Sequence, residues 1–225
     1  MIPMFLKIGH RGARAYEVEN TLKSFDKAIE LGANAIELDV RMSQDTHLIV
    51  SHDDNLKKVY GKDMLISKAT LAELKQLTDN RIATLDEAFS FIDRKVEKIL
   101  VELKEVGYEK SVLDLIRGKK LEDRVIIVSF HEEALARIRE LDERAETGII
   151  YTKFKKHIDK ALELNVQYLV PLYRFVHRRD VVKAHKQDLK VIVWTINNRD
   201  EAVLYQAKDV DGIATDKLNI FRGMG

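Results

Sequence analysis

The chain has 225 residues, a formal net charge of +1 and no cysteine, with 45% apolar and 33% charged residues. That apolar content excludes a disordered chain, and the balanced charge gives no global field to draw nucleic acid or an anionic membrane. The lack of thiols removes disulfides, thiolate catalysis and zinc–thiolate sites together. No stretch approaches the roughly 20 apolar residues of a spanning helix, and the Met1–Leu6 segment lacks the basic and long apolar regions of a secretory leader. A cytoplasmic protein without a transmembrane segment is therefore expected.

Short β-rich apolar runs alternate with helical patterns along the chain. A strand over Phe5–Gly9 is followed by a helix over Asn20–Leu31, then a strand over Ala35–Val40 and a short extra strand over Leu48–His52 that suits a hairpin with its end. From about residue 53 to 83 the rhythm breaks into a small insertion containing one short helix, Thr70–Leu77. The alternation then resumes with strands predicted at Lys98–Leu103, Val125–Ser129, Glu146–Ile150, Gln167–Val170, Lys190–Thr195 and Asp211–Ala214. The helices between them are predicted at Thr84–Arg94, Glu109–Arg117, Glu132–Leu141, Lys155–Leu164, Asp180–Gln187 and Arg199–Gln206. Strand alternating with helix implies a parallel sheet, and eight repeats of the unit argue for closure into a TIM (β/α)8 barrel, one domain over residues 1–225. An open doubly wound sheet fits that repeat count less well. No glycine-rich phosphate loop follows any strand, which disfavours dinucleotide and nucleoside triphosphate binding.

Charged residues gather where these strands end. His10-Arg11-Gly12 closes the first, Glu37-Leu38-Asp39 the second, His52-Asp53 the extra strand and Glu102-Leu103-Lys104 the third barrel strand. Such ends form the mouth at which a barrel of this kind does its chemistry. Alternate residues of a strand share a face, so Glu37 and Asp39 point one way while Leu38 and Val40 point the other, and Glu102 and Lys104 oppose Val101 and Leu103. On the same reasoning His52 continues the face of Leu48 and Val50.

Ionised carboxylates on an inner barrel face require a cation. One reading pairs Glu37 and Glu102 with Arg41 and Lys104 as a structural salt-bridge network. The other takes the three carboxylates as oxygen ligands for a hard divalent ion such as Mg²⁺, Ca²⁺ or Mn²⁺. His10 and His52 titrate near neutrality and suit acid/base work, Arg11 offers a planar fork for phosphate oxygens, and Gly12 permits a sharp turn and close approach of a ligand. Thr70 with Glu73, Thr84 with Glu87 and Ser129 with Glu132 fit capping boxes. Trp194 is read equally as a wall of the site and as barrel packing. His47, His131, His157, His177 and His185 are assigned surface roles.

The ordered set Gly9-His10-Arg11-Gly12, Glu19-Asn20-Thr21, Glu37-Leu38-Asp39-Val40, Val50-Ser51-His52-Asp53, Thr84-Leu85-Asp86-Glu87, Val101-Glu102-Leu103-Lys104, Val128-Ser129-Phe130, Val193-Trp194-Thr195-Ile196-Asn197 and Asp211-Gly212-Ile213-Ala214-Thr215-Asp216 resembles the glycerophosphodiester phosphodiesterase family over essentially the whole chain. The resemblance implies a TIM barrel that hydrolyses a small-molecule glycerophosphodiester to sn-glycerol 3-phosphate and an alcohol. It implies a divalent metal, Mg²⁺ first, with Mn²⁺ or Ca²⁺ as alternatives, on Glu37, Asp39 and Glu102. His10 and His52 would be the acid/base pair, with Arg11 and Lys104 on the phosphate and Trp194 against the substrate. The chain departs from the family pattern at Leu56–Gly61 and at Ala83, which leaves that set intact. A lysophospholipase D-like activity and a non-catalytic glycerophosphodiester-binding protein are the alternative functions.

Overall fold

The computed structural model describes residues 4–152 and 157–224. In chain order these form β1 (Leu6–His10), α1 (Leu22–Glu30), β2 (Ala35–Met42), β3 (Leu48–Val50), α2 (Lys57–Tyr60), α3 (Leu71–Leu77), α4 (Leu85–Ile92) and β4 (Lys98–Leu103). There follow α5 (Glu109–Lys119), β5 (Val125–Ser129), α6 (Glu132–Leu141), β6 (Glu146–Tyr151), α7 (His157–Glu163), β7 (Tyr168–Pro171), α8 (Arg178–His185), β8 (Lys190–Val193), α9 (Arg199–Gln206) and β9 (Gly212–Thr215). Each predicted element is present, with ends shifted by a residue or two. The predicted start of the seventh helix, Lys155 and Lys156, lies outside the described residues.

Eight of the strands pair in parallel, and β1 bonds both β2 and β9, so the sheet closes into a TIM barrel. β3 is the exception. It runs antiparallel to the far end of β2, with Val50 opposite Val40 and Leu48 opposite Met42, and this pairing carries β2 two residues past its predicted end. No helix among the described residues is long and apolar enough to cross a membrane.

The alternation of side chains along each strand builds two separate cores. Outward residues such as Ile36, Leu38, Val40, Val101 and Leu103 pack with Phe25 of α1 and Phe89 of α4 in the layer between strands and helices. Inward residues, among them Ile8, Ala35, Leu100, Ile126, Val128, Ile150, Tyr168, Val170, Ile192 and Ala214, fill the barrel itself. The barrel interior is thus apolar below the mouth, and every charge placed at the top of an inward row is held against a low-dielectric floor. The insertion packs a third core, Leu56, Ile66, Ala69, Leu74 and Ile82, against Ile49 of β3. Leu56, just before α2, and Ile66 in the 3-10 turn Ile66–Lys68 tie those two unpredicted elements to this core.

Two of the three predicted capping boxes form. Thr70 and Thr84 accept from the backbone N–H of Glu73 and Glu87, whose carboxylates accept from the threonine N–H in return. Ser129 does not cap α6. That helix starts at Glu132 with His131 as its N-cap, and the buried Ser129 hydroxyl donates instead to Leu103 O at 2.8 Å. Thr84→Ala removes an N-cap without disturbing the core; a loss of about 1 kcal/mol is expected, seen as a fall of roughly 2–4 °C in thermal denaturation.

Candidate active site

The register of neighbouring strands decides what meets at the mouth. His10 stands opposite Glu37 across β1 and β2, and Asp39 opposite Glu102 across β2 and β4. Because residues i and i+2 share a face, Glu37 and Asp39 stack in successive layers of one inward row. Glu37, Asp39 and Glu102 are all buried, and a carboxylate oxygen of each lies within 4.8 Å of the others.

Chain turns next to the strands bring the cations. Arg11 follows β1 with φ 55°, and its backbone N–H donates to Glu37 Oε2 at 2.8 Å. Its guanidinium donates from Nη1 to Glu19 Oε1 at 2.8 Å, while Nε makes an ion pair with Asp39 Oδ2 at 3.2 Å without hydrogen-bond alignment. Lys104 Nζ is 2.5 Å from Glu102 Oε1 and 3.5 Å from Asp39 Oδ1. Arg41 is not part of this cluster. It pairs with Glu105, and its Nε donates to the backbone carbonyl of His52 at 2.8 Å, so the cations beside the acids are Arg11 and Lys104. Asn20 Nδ2 donates to Asp39 Oδ2 at 2.8 Å.

Gly12 has φ 80°, and a Cβ there would sit 2.4 Å from Ser24 Oγ and 2.6 Å from the Ser24 carbonyl carbon. The room it makes is for α1, rather than for a ligand. Ser24 in turn donates to Arg11 O at 2.9 Å, which ties the helix to the turn that aims the arginine.

Both histidines reach the cavity, each with Nδ1 against a carboxylate: His10 with Asp216 Oδ1 at 2.8 Å and His52 with Asp53 Oδ1 at 2.7 Å. His52 arrives by a different route from the one the alternation suggests. β3 ends at Val50, which packs in the strand–helix layer, and a bend then turns His52 into the mouth. Trp194 is both wall and packing: it lines the cavity, rests on the barrel core, donates from Nε1 to Val170 O at 2.9 Å and meets Phe130 edge-to-face at 5.8 Å. The cavity measures about 170 Å³ and is lined by His10, Arg11, Glu37, His52, Glu102 and Lys104 on its charged side. Its other side is the aromatic and aliphatic wall of Phe130, Ile150, Val170, Ile192 and Trp194.

Glu19, Asp53, Asp216 and Phe130 had no role in the sequence reading. Asp216 and Phe130 each follow a strand directly, as Lys104 does, and that shared position was the available signal. Among the other histidines, His157 stacks on the Tyr151 ring at 3.8 Å.

Burial pushes Glu37 well up from the usual carboxylate range, with repulsion from Asp39 and Glu102 adding to it and Arg11 opposing. Burial, then repulsion from Asp39, raises Glu102 to about 7, against the pull of Lys104. Burial acts on Asp39 as well, but Arg11, Lys104, His52 and Asn20 together hold it below its ordinary value. His52 is lowered, first by burial. Glu37 Oε1 and Asp39 Oδ1 are buried and accept no hydrogen bond, so the cluster still lacks positive partners after Arg11 and Lys104 are counted. An all-oxygen set of this charge fits a hard divalent cation.

A model of the glycerophosphoryl diester phosphodiesterase family matches residues 10–220. A glycerophosphodiester phosphodiesterase of Caldanaerobacter subterraneus subsp. tengcongensis is 30% identical over 227 residues, covering 94% of this chain and 93% of its own. The crystal structure of glycerophosphodiester phosphodiesterase from Thermotoga maritima is 31% identical, with a TM-score of 0.84 and 98% of both chains covered. The chain belongs to the glycerophosphodiester phosphodiesterase family. It is a phosphoric diester hydrolase. A phosphodiesterase of Oleispira antarctica, solved with the product sn-glycerol-3-phosphate, is 25% identical with a TM-score of 0.88 and covers 96% of this chain and 94% of its own.

Burial gives the raised Glu102 carboxyl a measurable consequence. With divalent ions chelated, Glu102 binds its proton more tightly in the folded state (about 7) than in the unfolded chain (4.5). The stability this contributes is present in full below about pH 4.5 and is lost as pH rises through about 7. Thermal denaturation of the chelated protein should therefore show a stability decline over that window, and Glu102→Gln should flatten it.

Proposed function

We propose that this phosphodiesterase hydrolyses glycerophosphodiesters to sn-glycerol 3-phosphate and an alcohol, with a divalent metal on Glu37, Asp39 and Glu102 and with His10 and His52 as the acid/base pair. The observation that carries this reading is the convergence of both imidazoles, both cations and two of the buried carboxylates, Glu37 and Glu102, on one cavity, with Asp39 buried directly beside them. The product held by the relative from Oleispira antarctica supports the glycerol phosphate half.

The phosphodiester enters a cavity in which Arg11 and Lys104 present donors to its non-bridging oxygens. Both cations are anchored to carboxylates, so they arrive oriented and cost little reorganisation as charge grows on the phosphate. Glu37, Asp39 and Glu102 would hold a divalent cation, which would supply further positive charge to the phosphate; Mg²⁺ suits a site made of oxygens alone. The two histidines divide the proton transfers, one removing the proton of the attacking hydroxyl and the other giving one to the departing alkoxide. The wall of Phe130 and Trp194 excludes water from the opposite side and packs on the carbon skeleton of the substrate.

General acid/base groups contribute about 10²- to 10⁴-fold each, so His10→Ala and His52→Ala should each lower kcat by that range with the fold intact by circular dichroism. Full kcat in either variant would remove that histidine from the reaction. The metal is tested separately, by chelation followed by addition of Mg²⁺, Mn²⁺ or Ca²⁺ in assays on glycerophosphocholine, glycerophosphoethanolamine and glycerophosphoglycerol. Loss and return of turnover is the expected result; undiminished turnover after exhaustive chelation overturns the metal assignment, and no turnover of any diester overturns the enzymatic reading.

A further inference from the structure

Asp216, directly after β9, accepts from two donors at once. Its Oδ1 takes the His10 Nδ1–H at 2.8 Å, and its Oδ2 takes an N–H of Asn197 Nδ2 at 2.8 Å. Asn197 is not free to turn. Its own Oδ1 accepts from the Asp216 backbone N–H at 2.9 Å and from Thr215 Oγ1 at 3.1 Å, so its amide NH₂ must face the carboxylate. Arg14 completes the surroundings, with Nε 3.6 Å from Asp216 Oδ1 and 3.4 Å from Glu19 Oε2. Burial alone would raise the Asp216 carboxyl, but His10, Asn197 and Arg14 hold it below the ordinary range, so it remains an acceptor.

An acceptor at Nδ1 leaves a neutral His10 one tautomer. The proton sits on Nδ1 and the Nε2 lone pair points to the cavity, 4.0 Å from Glu37 Oε2. His52 has a similar partner in Asp53 but a looser setting. Its side chain is 29% exposed against 12% for His10, and Asp53 is held from the other side by the exposed Lys58 at 3.4 Å. Water can take over a bond to Nδ1 at His52, whereas at His10 there is little access for it.

We propose that Asp216, aimed by Asn197, is a positioning residue that sets the tautomer of His10 and thereby keeps Nε2 able to exchange a proton in the cavity. The kinetic consequence rests on the proposed function; the tautomer itself does not. Asp216→Asn leaves one oxygen for two donors. Because Asn197 keeps its NH₂ turned inward, the new amide oxygen is drawn to Asn197 and its NH₂ to His10, and the imidazole must then accept at Nδ1 and carry its proton on Nε2.

The test combines ¹⁵N NMR of the imidazoles in the metal-depleted protein at about pH 8.5, where free histidine is neutral, with steady-state kinetics on glycerophosphocholine. The His10 signals are assigned by their loss in His10→Gln. Wild-type His10 should be protonated on Nδ1, and Asp216→Asn should move the proton to Nε2. In the same variant kcat should fall about 10²- to 10⁴-fold while KM stays within about threefold. Removing the constraint in Asp216→Asn/Asn197→Ala lets the amide oxygen turn back to His10, and kcat should recover by about tenfold or more over the single variant. Asp53→Asn should cost less than about tenfold, since solvent serves His52. Wild-type His10 protonated on Nε2, an unchanged tautomer in Asp216→Asn, or wild-type kcat in that variant would overturn the proposal. An enzyme that turns over no glycerophosphodiester while showing the expected tautomers would instead overturn the reading of function and leave the positioning role standing.

Discussion

Three carboxylates buried within reach of one another above an apolar floor are the constraint around which the barrel mouth is arranged. An isolated ionised carboxylate in such a place costs several kcal/mol, and three of one sign repel as well. The chain answers with Arg11 and Lys104, and both are restrained: Arg11 by Glu19 and by the turn at Gly12, Lys104 by Glu102 itself. The compensation is incomplete. Buried oxygens of Glu37 and Asp39 accept no hydrogen bond, and the three carboxyls divide into one held below the ordinary range and two pushed above it. A fold that keeps so unfavourable a cluster has its reason at the site, since a salt-bridge network built for stability would have satisfied each oxygen.

The scaffold around this cluster is fixed by strand register at the carboxylates and separately packed in the insertion. Glu37, Asp39 and Glu102 come from strand interiors whose opposite faces are packed under helices, so their positions follow from the register. His10 sits at a strand end, and closure of β1 onto β9 brings Asp216 to it across 206 positions of sequence. The insertion packs its small core against Ile49 of β3 and touches the site through the Lys58–Asp53 ion pair next to His52. Change in that insertion can therefore alter the rim without disturbing the carboxylates.

Most of the architecture, and the charged residues that gather at the barrel mouth, were legible from periodicity. Eight strand signals separated by helices leave few alternatives to a closed barrel, and i, i+2 spacing put Glu37 with Asp39 and Glu102 with Lys104 on inner faces. Three local readings failed for physical reasons. Ser129 matches a capping box in spelling, but α6 begins two residues later than that box requires, and the hydroxyl is used against Leu103. His52 lies beyond the end of its strand, where alternation no longer says which way a side chain points. The salt-bridge reading offered Arg41 beside Lys104 as a partner for the inner acids, yet Arg41 reaches Glu105 and the His52 carbonyl at the rim instead.

By itself the sequence determined the closed parallel barrel, the strand ends as the place where charged groups gather and the identity of the acids, histidines and cations that meet there. These follow from local rules: hydrophobic period sets the element, and alternation sets the face. Only the tertiary structure decided which of those groups are partners. Whether Lys104 or Arg41 faces Glu102, which carboxylate lies against His10, and whether Gly12 makes room for a ligand or for Ser24 depend on register, closure and helix approach. Those are relations between segments far apart in the chain, and no local pattern of residues encodes a distance between them.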